Sequence, residues 1–193
     1  MKKCMLLLMV LACHSLMTAQ DTDAELFFND GTSIEGYGML HKTDKIKFRI
    51  SLDDKPDIWT KLMVKKITFY GFNMSTTFEY VQLKPDEPAT LVEVLVDENT
   101  KLFSDVTTYY FYANDGMMNG LPTSRSRQQF SISKIYIQKA GDEFPVALTG
   151  NFKRKAKEYF SDCSGLVKKI NSGEFRKSTV KDMVYYYNDF CAE

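Results

Sequence analysis

From residue 25 onward the chain is built of short apolar runs with a period of two, and the period lengthens to that of a helix only after about residue 150. Residues 25–28 form a short apolar strand. Asn29-Asp30-Gly31-Thr32 is a hairpin signal, since Asp-Gly supplies the positive φ of a tight turn. The return strand, 33–40, carries Gly36 and Gly38, which marks a sharp bend or a close backbone approach rather than a flat sheet. Residues 45–50 alternate cleanly, with Ile46, Phe48 and Ile50 on one face and Lys45, Lys47 and Arg49 on the other, so one face is expected in water. After a loop at 53–57, strand signals resume at 58–64, 66–72 and 76–83. A rigid connector with Pro85 and Pro88 follows, then a hairpin of 91–96 with 101–103. Residues 107–113, rich in Tyr, Phe and Thr, and residues 130–138 close the strand series. A phase slip between Ser133 and Lys134 reads as a bulge. Between these last two, residues 114–127 show turn dipeptides and no periodicity, a composition that favours a disordered loop.

Beyond that point Phe152, Ala156, Tyr159 and Phe160 recur at helical spacing after a cap at Asn151. Cys163, Leu166, Val167 and Ile170 form a second stripe. Thr179 with Asp182 three residues on is a capping-box signature, and Val180, Met183, Val184, Tyr187 and Cys191 share one face of a last helix. The pattern predicts an α+β fold: a mainly antiparallel, strongly bent β-sheet or open barrel over 21–150, closed by a C-terminal cap of about three short helices over 151–193.

The first 20 residues stand outside this pattern. Lys2 and Lys3 precede an apolar run from Cys4 to Leu16, and Thr18-Ala19-Gln20 then lead into Asp21. The run is too short for a membrane span, which needs about 20 apolar residues, and it reads as a signal peptide over 1–20. Cleavage after Ala19 or Gln20 would release the rest. Cleavage before Cys13, in Val10-Leu11-Ala12-Cys13, would make a lipoprotein, the one route by which the chain would meet a membrane.

Charge narrows the partners. The leader holds two of the 25 basic residues, leaving 25 − 2 = 23 against 25 acidic ones, and such a balance argues against nucleic acid as a partner. Cysteine usage agrees with export. Cys4 and Cys13 lie in the leader, so Cys163 and Cys191 remain, and in an oxidising space they are expected to form a disulfide. Closing that loop of roughly 29 residues would be worth about 3–4 kcal/mol on the chain-entropy account.

Catalytic chemistry is sparsely written. No Gly-x-Ser-x-Gly elbow occurs, Gly36-Tyr37-Gly38 continues into neither a dinucleotide nor a P-loop fingerprint, and His41 has no companion for a zinc site. The sequence therefore offers no catalytic residue, no metal ligand set and no cofactor. Its carboxylates gather in loops (Asp53, Asp54 and Asp57; Asp86 and Glu87; Asp97 and Glu98; Asp142 and Glu143), where two could still meet across a cleft as a hydrolytic pair. Tyr109 and Tyr112, in a run of four aromatic residues, together with Lys45, Lys47 and Arg49, make a candidate contact surface. The alternative is that both faces of the aromatic strand are covered. The lysines of the helical end read as the wet side of amphipathic helices.

Tyr159-Phe160-Ser161-Asp162-Cys163, then Leu166-Val167, then Tyr186-Tyr187-Asn188 before Cys191 form an ending that resembles small exported proteins of the Bacteroidota type. The resemblance covers mainly 152–191. It implies an envelope location, and the group carries no assigned activity or catalytic residues. Taken together, the expectation is an exported, non-enzymatic module that binds a protein or glycan of the cell envelope. A secreted hydrolase using loop carboxylates and a structural or assembly protein of the envelope are the alternatives.

Overall fold

Gly31, at φ +89°, turns the chain from β1 (Thr22–Phe28) into β2 (Ser33–His41). Asp30 fixes the turn by accepting hydrogen bonds from the Thr32 amide and hydroxyl, at 2.9 and 2.7 Å. In this computed structural model the described residues are 21–192 apart from 43, 72, 115–116, 119–120 and 123–124, and for 109–130 the description is of the backbone alone. The expected leader, with Cys13, lies outside them. The strands continue as β3 (Lys45–Arg49), β4 (Asp57–Trp59), β5 (Val64–Gly71), β6 (Met74–Val81), β7 (Thr90–Val96), β8 (Thr100–Asn114), β9 (Met117–Met118), β10 (Leu121–Pro122), β11 (Arg125–Lys139) and β12 (Val146–Ala147). Helices α1 (Phe152–Tyr159), α2 (Ser164–Ser172) and, after a single 3-10 turn at Lys177–Thr179, α3 (Val180–Phe190) complete the chain.

Ten of the strands form one antiparallel sheet that does not close, in the order β12-β11-β8-β7-β6-β5-β1-β2-β3-β4, while β9 and β10 pair separately. The glycines of β2 stand where neighbouring groups approach its backbone closely. A Cβ on Gly36 would lie 2.4 Å from the carbonyl oxygen of Arg49, and one on Gly38 would lie 2.8 Å from Ile67 Cδ1. A side chain at Gly36 would have to displace backbone, and one at Gly38 would have to displace the buried Ile67 side chain. Strands β1 to β6 surround a core of Leu26, Ile46, Phe48, Val64 and Ile67, all almost fully buried. Tyr80, on β6, donates its hydroxyl to the carbonyl of Asp44 in the β2–β3 turn at 2.7 Å, tying the two sides of this half-barrel together.

The other end of the same sheet face is covered by the helices. Leu102 and Ile137 meet Phe160, Leu166, Ile170, Met183 and Val184 in a second core. Asn151 caps α1 by accepting from the Arg154 amide, as its position predicts. Thr179 does not form the expected box with Asp182. Its hydroxyl accepts instead from the Arg176 amide at 3.1 Å, because the 3-10 turn brings that amide nearer.

Other expectations also need correction. The strand signal at 58–64 is really β4 followed by a turn, with the Met63 and Val64 amides both donating to the Thr60 carbonyl. Ile50 lies beyond the end of β3 and is exposed, so its alternation with Ile46 and Phe48 does not carry it into the core. Residues 101–103 and 107–113 belong to one strand, β8, and the disordered reading of 114–127 does not hold at its ends. Asn114 pairs with Arg125, Ala113 with Ser126 and Tyr112 with Arg127. Register along β8 and β11 is unbroken, so no bulge lies at Ser133. The slip has another cause: Ile135 and Ile137 face the helices, whereas Ile132 lies on the opposite side of the strand, beyond their reach.

Candidate functional site

One row of facing residues crosses the sheet through consecutive pairings: Leu26 opposite Ile67, Ile67 opposite Phe78, Phe78 opposite Glu93, Glu93 opposite Ser104, and Ser104 opposite Ile135. Residues paired this way share a face. The row is apolar in the half-barrel, turns polar at Glu93 and Ser104, and becomes apolar again under the helices. At the polar step the sheet forks. Strand β7 pairs with β8 only from Glu93 onward, with a register shift between Val94 and Val96. Its earlier residues, Thr90 to Val92, pair with β6 alone among the described strands, and β8 beyond Ser104 pairs with β11 alone.

The wedge between the diverging strands is a slot of about 640 Å³. Phe78, Leu91 and Glu93 form one wall, Ser104, Val106 and Thr108 the other, and Leu40 with Lys42 closes the end. Leu40 is 40 % and Val106 51 % exposed, so the slot presents apolar side chains to solvent rather than burying them. Hydroxyl pairs stiffen the outer wall: Ser104 with Ser133 at 2.8 Å, and Thr108 with Ser131 at 2.9 Å. A volume of this size, apolar walls, a few hydroxyls and two strand edges fit the uptake of an extended segment.

Past Ser104, β8 and β11 run on as a two-stranded ribbon, from Asp105 opposite Lys134 to Asn114 opposite Arg125. At about 3.3 Å per residue it reaches roughly 30 Å from the fork. Tyr109 and Tyr112 lie on this ribbon by backbone position, and their side chains are outside the described residues. Lys45 and Lys47 lie on the face of β3 opposite the buried Ile46 and Phe48. Arg49 is held by Asp21, with Nε 2.6 Å from its carboxylate, and also donates to the carbonyl of Leu52. Arg49 is thus a clamp on the N-terminal residue of the described chain.

Several of the loop carboxylates have local partners. Glu87 pairs with Lys84 and Asp97 with Lys101, while Asp54 accepts from the Ser51 amide. Asp142 accepts from the Lys139 amide and from the Tyr159 hydroxyl. Among the described residues, no group of three or more His, Cys, Asp or Glu is arranged to hold a metal ion.

The most heavily built polar cluster lies between sheet and helices. Lys139 Nζ is 2.9 Å from both oxygens of Asp162 and 3.0 Å from the Tyr159 carbonyl, and stands over the rings of Tyr159, Phe160 and Tyr187. Tyr187 donates to Asp162 at 2.5 Å. Burial acts to lower the Lys139 pKa, but Asp162 and Tyr187 outweigh it and the net shift is upward. Burial acts to raise that of Asp162, and the Tyr187 hydroxyl and Lys139 ammonium leave it lowered. Beside this cluster Cys163 and Cys191 form a disulfide pair with Cα atoms 5.8 Å apart, as an oxidising compartment allows. No helix among the described residues is long and apolar enough to cross a membrane.

What the geometry defines is a forked antiparallel sheet with a slot at its branch point and a helical cap. The chain matches no family model, no curated protein and no solved structure.

Sequence reasoning missed the slot residues Leu40, Phe78, Leu91, Glu93 and Val106. The one available signal was Val106 beside Asp105, which continues the strand pattern of 101–103 into that of 107–113 and joins two runs read apart.

Proposed function

We propose that the protein is an exported, non-enzymatic interaction module that takes up a partner polypeptide as an added strand at the fork. The observation that carries this is the divergence of β7 from β8 beyond Glu93 and Ser104, which puts a strand edge and a row of alternating side-chain sites beside an apolar slot. Main-chain hydrogen bonds to the β8 edge would supply affinity, and the Leu40–Val106 gap would select the inserted side chain. Export is supported by the Lys2-Lys3 leader and by the Cys163–Cys191 pair, with a site of action in the periplasm, at the outer membrane or outside the cell.

The test is to pan a displayed peptide library on the purified chain. Extended sequences rich in Val, Ile, Thr, Tyr and Phe should be enriched, and should lose binding to Leu40→Lys and Val106→Lys. Both positions are exposed, so neither change should unfold the protein. Enriched peptides that bind both variants unchanged, or no enrichment at all, would sink the proposal.

A further inference from the structure

The slot carries a charge that the protein around it does not match. Glu93 stands at the branch point, opposite Phe78 on β6 and Ser104 on β8. It is half-buried, with Phe78 and Leu91 beside it on the same wall. No ion pair or side-chain hydrogen bond among the described residues includes it. The Ser104 hydroxyl bonds to that of Ser133. Lys101, on the opposite face of the sheet, is held by Asp97 at 2.7 Å and Glu79 at 3.8 Å. A carboxylate drawn partly out of water without a partner is costly, and an apolar residue in the same place would not be. Lys42, the other charged residue on the slot, is exposed, so water meets its charge. Of the two, Glu93 is the one short of a partner.

We infer, resting on the strand-addition reading, that the segment taken up carries a lysine or arginine whose charged end meets Glu93. The aliphatic stem would lie along Phe78 and Leu91, which suits a long side chain with an apolar body and a charged tip. The ammonium or guanidinium would donate a charge-assisted hydrogen bond to the carboxylate where water is partly excluded, and there such a bond is stronger than on an open surface. An acidic side chain at the same point is repelled, and an amide leaves the carboxylate's charge unmatched. The apolar walls thus supply uptake and Glu93 supplies choice. The partner segment is one of alternating β-branched residues interrupted by a basic one, rather than a uniformly apolar strand.

The test is to titrate the purified chain, at physiological salt, with synthetic peptides of alternating Thr and Val that differ only in a central Lys, Gln or Glu. The Lys peptide should bind about tenfold or more tightly than the Gln peptide, and the Glu peptide more weakly than either. Glu93→Gln, which keeps the shape of the side chain, should bring the Lys and Gln peptides level. The wild-type comparison needs no variant and decides even where a substitution prevents folding. If the Lys and Gln peptides bind the wild-type chain equally and both are lost with Leu40→Lys and Val106→Lys, strand addition stands and the basic-residue inference is overturned. A preference for the Glu peptide would make Lys42 the reader of charge and overturns it too. So does a preference for Lys that survives Glu93→Gln. Absence of binding by all the peptides removes strand addition and the inference with it.

Discussion

Lys139 leaves β11 with its ammonium enclosed by three aromatic rings and both oxygens of Asp162, so it joins sheet, α1 and α3 at one point. Replacing it by Met keeps the stem but leaves the Asp162 carboxylate and the Tyr159 carbonyl short of a donor. The expected cost is about 2 kcal/mol, read as a lower urea midpoint with an unchanged slope. Asp162, with its pKa lowered, contributes stability above the ordinary carboxylate value of about 4 and loses it as the pH falls through the shifted value. Lys139→Met should flatten that acid limb. Gly36 offers a sharper case. Gly36→Ala forces a methyl against the Arg49 carbonyl, which only backbone movement can relieve, and should cost about 1–3 kcal/mol by thermal unfolding. The glycine's role was legible because a glycine inside a strand pattern already implies close approach. That of Arg49 was not, since its partner Asp21 is distant in sequence and meets it only after β2 has folded back.

Strand positions were readable from alternation, but alternation records which face is covered rather than where a strand ends. Ile132 and Ile135 lie on opposite faces of one continuous β11, and the change of face marks the point at which the helical cap stops. Read from residues alone, that looks like a bulge. The fork is harder still: it depends on β7 following β6 into the half-barrel while β8 follows β11, and nothing local to Glu93 or Ser104 encodes that choice. The half-barrel has its own latch in Tyr80. Burial, with a smaller contribution from the Asp44 carboxylate, raises the tyrosine pKa to about 12. A raised folded-state value means that its contribution is complete below the ordinary value of about 10 and is lost as pH rises through 12. Tyr80→Phe should remove this component from the fall in melting temperature between those values, and an unchanged alkaline limb would show that the latch is idle.

Across the whole molecule, two cores share one sheet face and are joined through the polar row at Glu93 and Ser104. The α+β outline and the helical cap were legible because both periods are long and unambiguous; the slot between the cores was not, being empty space that no side chain announces. The Cys163–Cys191 pair spans 28 residues and should be worth about 3–4 kcal/mol, so Cys163→Ser or reduction should lower the melting temperature; an unchanged transition would show that the pair is dispensable. Asn188 on α3 accepts from the Thr100 amide and donates to the Thr100 carbonyl, a link across 88 residues of chain. On the exported reading proposed above, with the polypeptide emerging amino end first from a translocation pore, the Tyr80–Asp44 latch can engage while more than half of the molecule is still inside. The apolar side of β8 has no cover until the final helix arrives. Order of emergence therefore separates an early half latched by Tyr80 from a late half whose strands wait for the helical cap, so on the exported reading a holding chaperone should be captured on translocation intermediates arrested after β11 and not on those arrested after β6.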